Sequence, residues 1–464
     1  MTYKHSIFAV MLLVVGSFFS VQAEYRLPEY QSLTLDNGLT LYLMEQHEVP
    51  MIDVSVVVKA GALMDGDKPG LASMTVDSME FGTQKLSREE FEATTDFIGA
   101  TIGSSGGIEF STISSSFASK DEATMMTILR DMVINPRFDD EEFANYKKRY
   151  SLKLEQEKES PKAVINTWFN RLMFGESGYG SVVQGDLASV ASMTNDDIKA
   201  FHKTWYRPDN AAVIVVGDFD SNKMLIRLKA LFSSWEKPKA KLATIKAKPA
   251  AAKSQSNVLL VNKDDALETT FVIGGKGIKR SNEDYVAVSV INTILGGRFT
   301  SWLNDELRVN SGLTYGARSR FTSFREAGVF YMTTFTKTAS TVDAIDLALS
   351  TYERLWEKGI DEATLSSAKA YVKGQFPPNF ETSSQLADLL AQMYGFGFDE
   401  NFINTFEEQV NSLTVERAKD VINAYFPRNN LQFVLVGKAS DIKESIKKYG
   451  SVKQVDIKSD GYKL

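Results

Sequence analysis

A repeat at an offset of 220 residues is the strongest constraint on what this chain can fold into. Thr194 opens a helical pattern that leads to Trp205-Tyr206-Arg207-Pro208-Asp209-Asn210 and an apolar strand ending at Val216-Gly217. Thr414 opens its counterpart, which leads to Tyr425-Phe426-Pro427-Arg428-Asn429-Asn430 and a strand ending at Val436-Gly437. Thr194 with Asp197 three residues on is a helix-start signature. Ile198, Phe201 and Trp205 share one helical face, and Ala418, Val421 and Tyr425 match them 220 residues later. The chain therefore carries two related domains. Residues 237–256, KPKAKLATIKAKPAAAKSQS, have little apolar periodicity and read as the linker between them. The expected layout is a signal segment 1–23, an N-terminal domain 24–236, the linker, and a C-terminal domain 257–464.

Within each half both periods are present. Residues 53–61 (DVSVVVKAG) and 327–335 (AGVFYMTTF) read as strands, and Leu386, Leu389, Leu390 and Met393 mark a helix. The run from Arg318 through Phe324-Arg325-Glu326-Ala327-Gly328 to Phe335 reads as a hairpin. Hairpin-linked strands with long helices between them predict an α+β fold, each domain a largely antiparallel sheet with helices packed on one side.

The first residues read as an export signal. Lys4 and His5 precede an apolar stretch from Ile7 to Phe19 and a small-residue cleavage site at Val21-Gln22-Ala23. No second apolar segment of spanning length follows, so a soluble exported protein is expected, in a periplasm or else secreted. The formal charge of −7 is mild and unpatterned, which argues against a nucleic-acid partner. Zero cysteines exclude disulfides, a thiol nucleophile and a thiolate metal site. Of three histidines, His47 and His202 remain after the signal. His202 lies on an apolar helix face, with Ile422 as its repeat partner, and reads as a packing residue. His47, in a charged loop, reads as a surface group. The glycine-rich stretches 99–107 and 274–277 match neither a phosphate-binding loop nor a dinucleotide fingerprint and read as turns.

Four segments carry a resemblance: LDNGLTLYLMEQHEVPMIDVSVVVKAG, PGLASMTVDSMEFGT at 69–83, YRPDNAAVIVVGD, and LGGRFTSWLNDELRVNSGLTYGARSRF at 295–321. Together they resemble the pitrilysin/insulinase family of zinc metallopeptidases, from about Leu35 to Val436. Relatives include the mitochondrial processing peptidase and respiratory core subunits. The resemblance implies two-domain chains that each form half of a clamshell. It also implies a zinc helix bearing H-x-x-E-H just after Gly-Leu-Ala, where two histidines one turn apart bind the metal and the glutamate activates water. Here those positions hold Ser73, Val76 and Asp77. A serine hydroxyl is a poor zinc ligand, valine cannot act as a base, and a lone aspartate does not make a site. The family's third ligand, a glutamate, falls near Leu154, with Glu155 as its possible remnant. This chain is therefore expected to bind no zinc itself.

The resemblance also implies that an arginine and a tyrosine of the second domain hold substrate; the block LRVNSGLTY supplies Arg308 and Tyr315 for that role. Taken without it, Arg308 reads as a solvated helix residue before the Asn310-Ser311-Gly312 turn and Tyr315 as a strand aromatic. Arg298, Arg318 and Arg320 are nearby candidates for further contacts, and Arg280 lies outside the block with no expected role. A lost zinc motif beside a retained Arg/Tyr block implies the non-catalytic, substrate-orienting subunit of a peptidase pair. The expected partner is a homologous chain with H-x-x-E-H and the zinc, acting on peptides. A scaffold or peptide-binding protein with no part in proteolysis is the alternative.

Overall fold

The two matched segments fold alike. Thr194 caps the helix Asn195–Trp205, accepting from the Asp197 amide while Asp197 accepts from the Thr194 amide, and Thr414 caps Val415–Tyr425. In the computed structural model, residues 25–243, 247 and 253–464 are described. The expected signal segment 1–23 and part of the 237–256 linker lie outside the described residues.

Residues 31–217 supply one six-stranded sheet: β1 (Gln31–Thr34), β2 (Thr40–Glu45), β3 (Met51–Val58), β4 (Thr101–Gly106), β5 (Ser111–Ala118) and β6 (Ala211–Gly217). Its strand order is β1-β2-β6-β3-β5-β4, and only β2 and β6 run parallel. Residues 257–456 supply the second: β7 (Asn257–Asn262), β8 (Glu268–Lys276), β9 (Arg318–Ser323), β10 (Gly328–Lys337), β11 (Gln432–Gly437) and β12 (Ser451–Asp456). Its order is β12-β7-β11-β8-β10-β9, with β7 parallel to both β11 and β12. The shared core of the two orders is the sequence repeat made structural. The hairpin read between Arg318 and Phe335 is β9–β10.

Five helices position the site: α1 (Leu71–Ser78), α2 (Asp140–Glu157), α3 (Pro161–Phe174), α4 (Asn195–Trp205) and α5 (Ser383–Phe396). Alternation along the strands assigns two faces to each sheet. In the first, Leu41, Leu43, Val54, Val56, Val213 and Val215 bury against the first half's own helices, including α1 and α4. The opposite face, with Val57, Ala212, Ile214 and Val216, receives α5 from the second half through Leu386, Leu389, Leu390 and Met393. The second sheet reciprocates. Leu259, Val261, Val272 and Val434 take Val164, Ile165, Trp168 and Phe169 of α3, a first-half helix. Each sheet thus has its own helices on one side and an exchanged helix on the other.

Other contacts tie the halves together. The buried Tyr179 hydroxyl donates to Glu109 Oε1 (2.8 Å) and accepts from the Glu326 amide (3.0 Å), while its ring stacks on Phe324 at 4.5 Å. The Leu27 amide donates to Asn404 Oδ1 at 3.0 Å. Asp460, near the C-terminus, accepts from the amides of Leu187 and Ala188 in the first half (3.0 and 2.8 Å).

The glycine-rich stretches are mostly strand rather than turn, although Gly99 does close the helix Arg88–Ile98 in a left-handed conformation (φ 67°). Gly103 and Gly106 lie within β4, and Gly274 and Gly275 within β8. Glycine is needed there for close approach. A Cβ at Gly106 would sit 2.7 Å from Ser73 Cα on α1, and one at Gly274 would sit 2.9 Å from Phe169 Cζ on α3.

Candidate functional site

Ser73, Val76 and Asp77, where the resemblance places the zinc motif, lie on α1, which starts after Gly70 in a left-handed conformation (φ 93°). Asp65 accepts from the Gly70 and Ala72 amides, each at 2.8 Å, and so satisfies donors at the helix start. Burial pushes the Asp65 carboxyl up to about 7 despite these two bonds.

Each of the three motif residues is already engaged. Ser73 is buried and its hydroxyl donates to the Val183 carbonyl at 2.8 Å. Val76 is wholly buried in the core of the first half. Asp77 Oδ2 accepts from the Tyr146 hydroxyl of α2 at 2.5 Å, and Oδ1 from Ser104 at 3.4 Å. Burial raises the Asp77 carboxyl, opposed by the Tyr146 hydrogen bond and the Lys153 charge. Tyr146 stands against α1, and Tyr150, one turn on, donates to the Gln184 carbonyl at 3.1 Å. Leu154 continues that buried face, whereas Glu155 is turned away and exposed, so it is no remnant ligand. Phenol, aliphatic side chain and a single paired carboxylate do not fit a zinc ion. The i, i+4 spacing of Tyr146 and Tyr150 was the sequence signal for this arrangement.

The two histidines are elsewhere. His202 has Nε2 2.8 Å from the Val133 carbonyl, stacks on Tyr206 at 4.8 Å, and meets Phe138 edge-on. Burial lowers its pKa to about 4. His47 is exposed between Asp218 (2.7 Å) and Glu45 (3.1 Å); the Asp218 hydrogen bond is the larger cause of its raised pKa. Among the described residues there is no cluster of three His, Cys, Asp or Glu side chains able to hold a metal.

The second-half block is open. Tyr315 lies in the loop before β9, not in a strand, and is 83% exposed. Its backbone surroundings are nevertheless fixed. Buried Thr334 donates to the Gly316 carbonyl (2.8 Å), buried Thr336 to the Leu313 carbonyl (2.7 Å), and the Leu313 amide to the Leu307 carbonyl (2.9 Å). The exposed Tyr315 ring stacks on Phe335 at 6.4 Å, so this pinned loop presents it at the edge of a concave surface. Tyr315 borders a cavity of about 480 Å³ between α3 and the β9–β10 hairpin, together with Arg318, Arg320, Tyr331 and Phe335.

Arg308 does not line this cavity. It lies in a π-helical turn, Asp305–Asn310, with its guanidinium 4.5 Å over the exposed Phe299 ring. Arg298 hydrogen-bonds Ser367 Oγ at 3.0 Å. The structure therefore groups Tyr315 with Arg318 and Arg320, and leaves Arg308 and Arg298 outside that cleft. Arg280 is not a neutral surface residue. It is buried with the rings of Tyr285, Phe398 and Phe402 each 4.1 Å from its guanidinium.

Comparison with known proteins agrees with this architecture in both halves. Residues 41–183 match the family model "Insulinase (Peptidase family M16)", and residues 192–372 match "Peptidase M16 inactive domain". This chain belongs to the M16 peptidase family. Similar curated proteins include the zinc protease PqqE of Helicobacter pylori, 25% identical over 425 residues that cover 90% of this chain and 94% of the relative. The non-peptidase homolog YmxG of the same organism is 23% identical, covering 92% and 98%. Among solved structures, a peptidase M16 inactive domain from Pseudomonas fluorescens superposes with a TM-score of 0.82 at 23% identity, covering 88% of this chain and 98% of that one. A protease from Helicobacter pylori gives 0.80 at 23% identity, covering 88% and 100%. These structures share the clamshell-type fold of the family. In this member, Ser73, Val76 and Asp77, where the resemblance places the zinc motif, are taken up by core packing and hydrogen bonds.

Proposed function

We propose that this chain is the non-catalytic, substrate-orienting subunit of an exported heterodimeric zinc peptidase that acts on peptides. The observation that carries the reading is the contrast between the two half-sites. Ser73, Val76 and Asp77 are closed by protein partners, while Tyr315 stands exposed at the border of a cleft, on a loop whose neighbouring carbonyls are hydrogen-bonded. In this reading the zinc belongs to a homologous partner chain with an intact H-x-x-E-H. Tyr315 and Arg308 face that partner's centre and donate to the peptide carbonyl that becomes the oxyanion. The exposed Phe299 and Val309, flanking Arg308, supply apolar surface of the kind an interface core uses. The apolar leader ending at Ala23 supports export to a periplasm.

The test is co-purification with a zinc-bearing homologue, followed by turnover measurements on the complex. Tyr315→Phe should leave folding and assembly intact and lower turnover by about 10²–10³, the usual loss for one oxyanion donor. Assembly with turnover unchanged by Tyr315→Phe and by Arg308→Ala would replace this reading with the scaffold one.

A further inference from the structure

The Tyr315 cleft has a property that the family resemblance does not supply: it is strongly and one-sidedly cationic. Arg318 and Arg320 sit two residues apart on the edge strand β9, so their side chains leave the same face about 7 Å apart. Lys162 of the exchanged helix α3 closes the opposite wall, its ammonium 3.5 Å over the Phe335 ring. No aspartate or glutamate among the described residues lines the cleft. Among the described residues none of these three cations has an ion-pair partner, although the chain as a whole is acidic.

The fold itself does not require this charge, because the pseudo-symmetry provides a control. The first half has the matching cleft between α5 and the β4–β5 hairpin. Strand pairing sets the correspondence: Arg318 pairs with Thr333 where Gly103 pairs with Ser114, and Thr270 pairs with Phe335 where Asp53 pairs with Ser116. On the helices, Lys162 and Asn166, the second and sixth residues of α3, correspond to Ser384 and Asp388, the second and sixth of α5. Two of the three cations thus stand where the twin cleft has glycine or serine, and the twin places Asp53 and Asp388 where this one has neutral residues. One backbone frame carries opposite charge in its two copies, so the charge belongs to the site.

We propose that the cleft between α3 and the β9–β10 hairpin binds carboxylate groups of an extended peptide, with Arg318, Arg320 and Lys162 as charge partners and Tyr331 and Phe335 as its floor. Guanidinium pairs on one strand face match carboxylates on alternate residues of an extended chain, and a cleft without competing acids leaves them available. This assigns acidic peptides as the substrate class and rests on the cleft being the peptide-facing surface.

The experiment uses the full mature chain alone, by calorimetric titration, so it does not depend on any partner. The probe is an acetylated, amidated peptide of alternating glutamate and valine. Its glutamine–valine counterpart is tested both amidated and with a free C-terminal carboxylate. The glutamate peptide should bind with an affinity that falls as salt rises, and the amidated glutamine peptide should not bind. Arg318→Gln with Arg320→Gln should weaken binding about tenfold, and Lys162→Gln about threefold, as expected for partly exposed charge pairs. Lys223→Gln, on an exposed helix elsewhere, should have no effect. Binding confined to the free-carboxylate peptide, and lost in the arginine variant, would assign the C-terminus as the carboxylate source and uphold the proposal. Equal binding of glutamate and amidated glutamine peptides, no binding of any probe, or affinity indifferent to the arginine changes in a variant with native circular dichroism would overturn it. Loss of the Tyr315→Phe effect on a complex would leave this binding untouched, so the two readings fail separately.

Discussion

Tyr146→Phe tests whether the Tyr146–Asp77 contact is a structural hydrogen bond. The change removes one hydroxyl, leaves the ring against Phe81, and takes from Asp77 its 2.5 Å donor, with only Ser104 at 3.4 Å remaining. The loss of a hydrogen bond to a buried charged group costs about 1.5–3 kcal/mol, against about 1 kcal/mol for a neutral pair. The sign with pH follows from Asp77, whose carboxyl is raised in the fold chiefly by burial. Its contribution to stability is fully present below the unfolded value of about 3.9 and is lost as pH rises through the higher folded value. Removing the Tyr146 donor raises that folded value further. The variant should therefore lose about 2 kcal/mol near neutral pH and about 1 kcal/mol or less below about pH 3, under both the unfolded and the raised folded values, where the acid is protonated. Asp77→Asn should flatten the difference, and in that background Tyr146→Phe should cost only the neutral-pair value at both pH values. Urea midpoints at constant m-value, measured for the four members of this cycle, report the coupling. A Tyr146→Phe cost that is the same at both pH values, or a coupling of zero near neutrality, would refute the account.

Two further outcomes follow from buried groups elsewhere. His202, held at about 4 in the fold by burial, contributes stability that is present above the unfolded value of about 6.5 and lost as pH falls toward 4, at most about 3 kcal/mol; His202→Gln, which can keep a donor to Val133, should flatten the acid limb of urea midpoint against pH, and an unchanged limb would contradict it. Tyr179→Phe leaves the buried Glu109 carboxylate and the Glu326 amide each short of a partner, so it should cost about 1–3 kcal/mol while unfolding stays a single transition in differential scanning calorimetry; separate transitions for the two halves would contradict the interlocked arrangement.

Much of the fold was legible because the repeat, the Thr194 and Thr414 caps and the β9–β10 hairpin are local signals in which neighbouring residues decide the outcome. The helix at Leu386, Leu389, Leu390 and Met393 was legible as a helix, but its partner was not. An apolar stripe states that something must cover it and carries no information about which sheet does. The glycines of β4 and β8 misled for a related reason. Their role is to admit α1 and α3 at short range, which only the tertiary arrangement reveals. At the site, the residue types argued against zinc ligands at Ser73, Val76 and Asp77, but did not point to the Tyr146 phenol that donates to Asp77. The block around Tyr315 drew notice to Arg318 and Arg320. Lys162 was missed because it arrives from the other half on an exchanged helix.

That exchange makes the two halves equivalent to the protomers of a domain-swapped dimer whose chains have been fused end to end. Each sheet is completed only by a helix that the opposite half donates, so neither half has a finished core alone. The packing of α3 and α5 on the opposite half's sheet ties the halves together. Widening the gap between the sheets would strip Trp168, Phe169, Leu389 and Leu390 of their burial, at a cost of several kcal/mol for side chains of this size. Separating the halves would therefore unmake both cores at once, because each is finished by the other's helix.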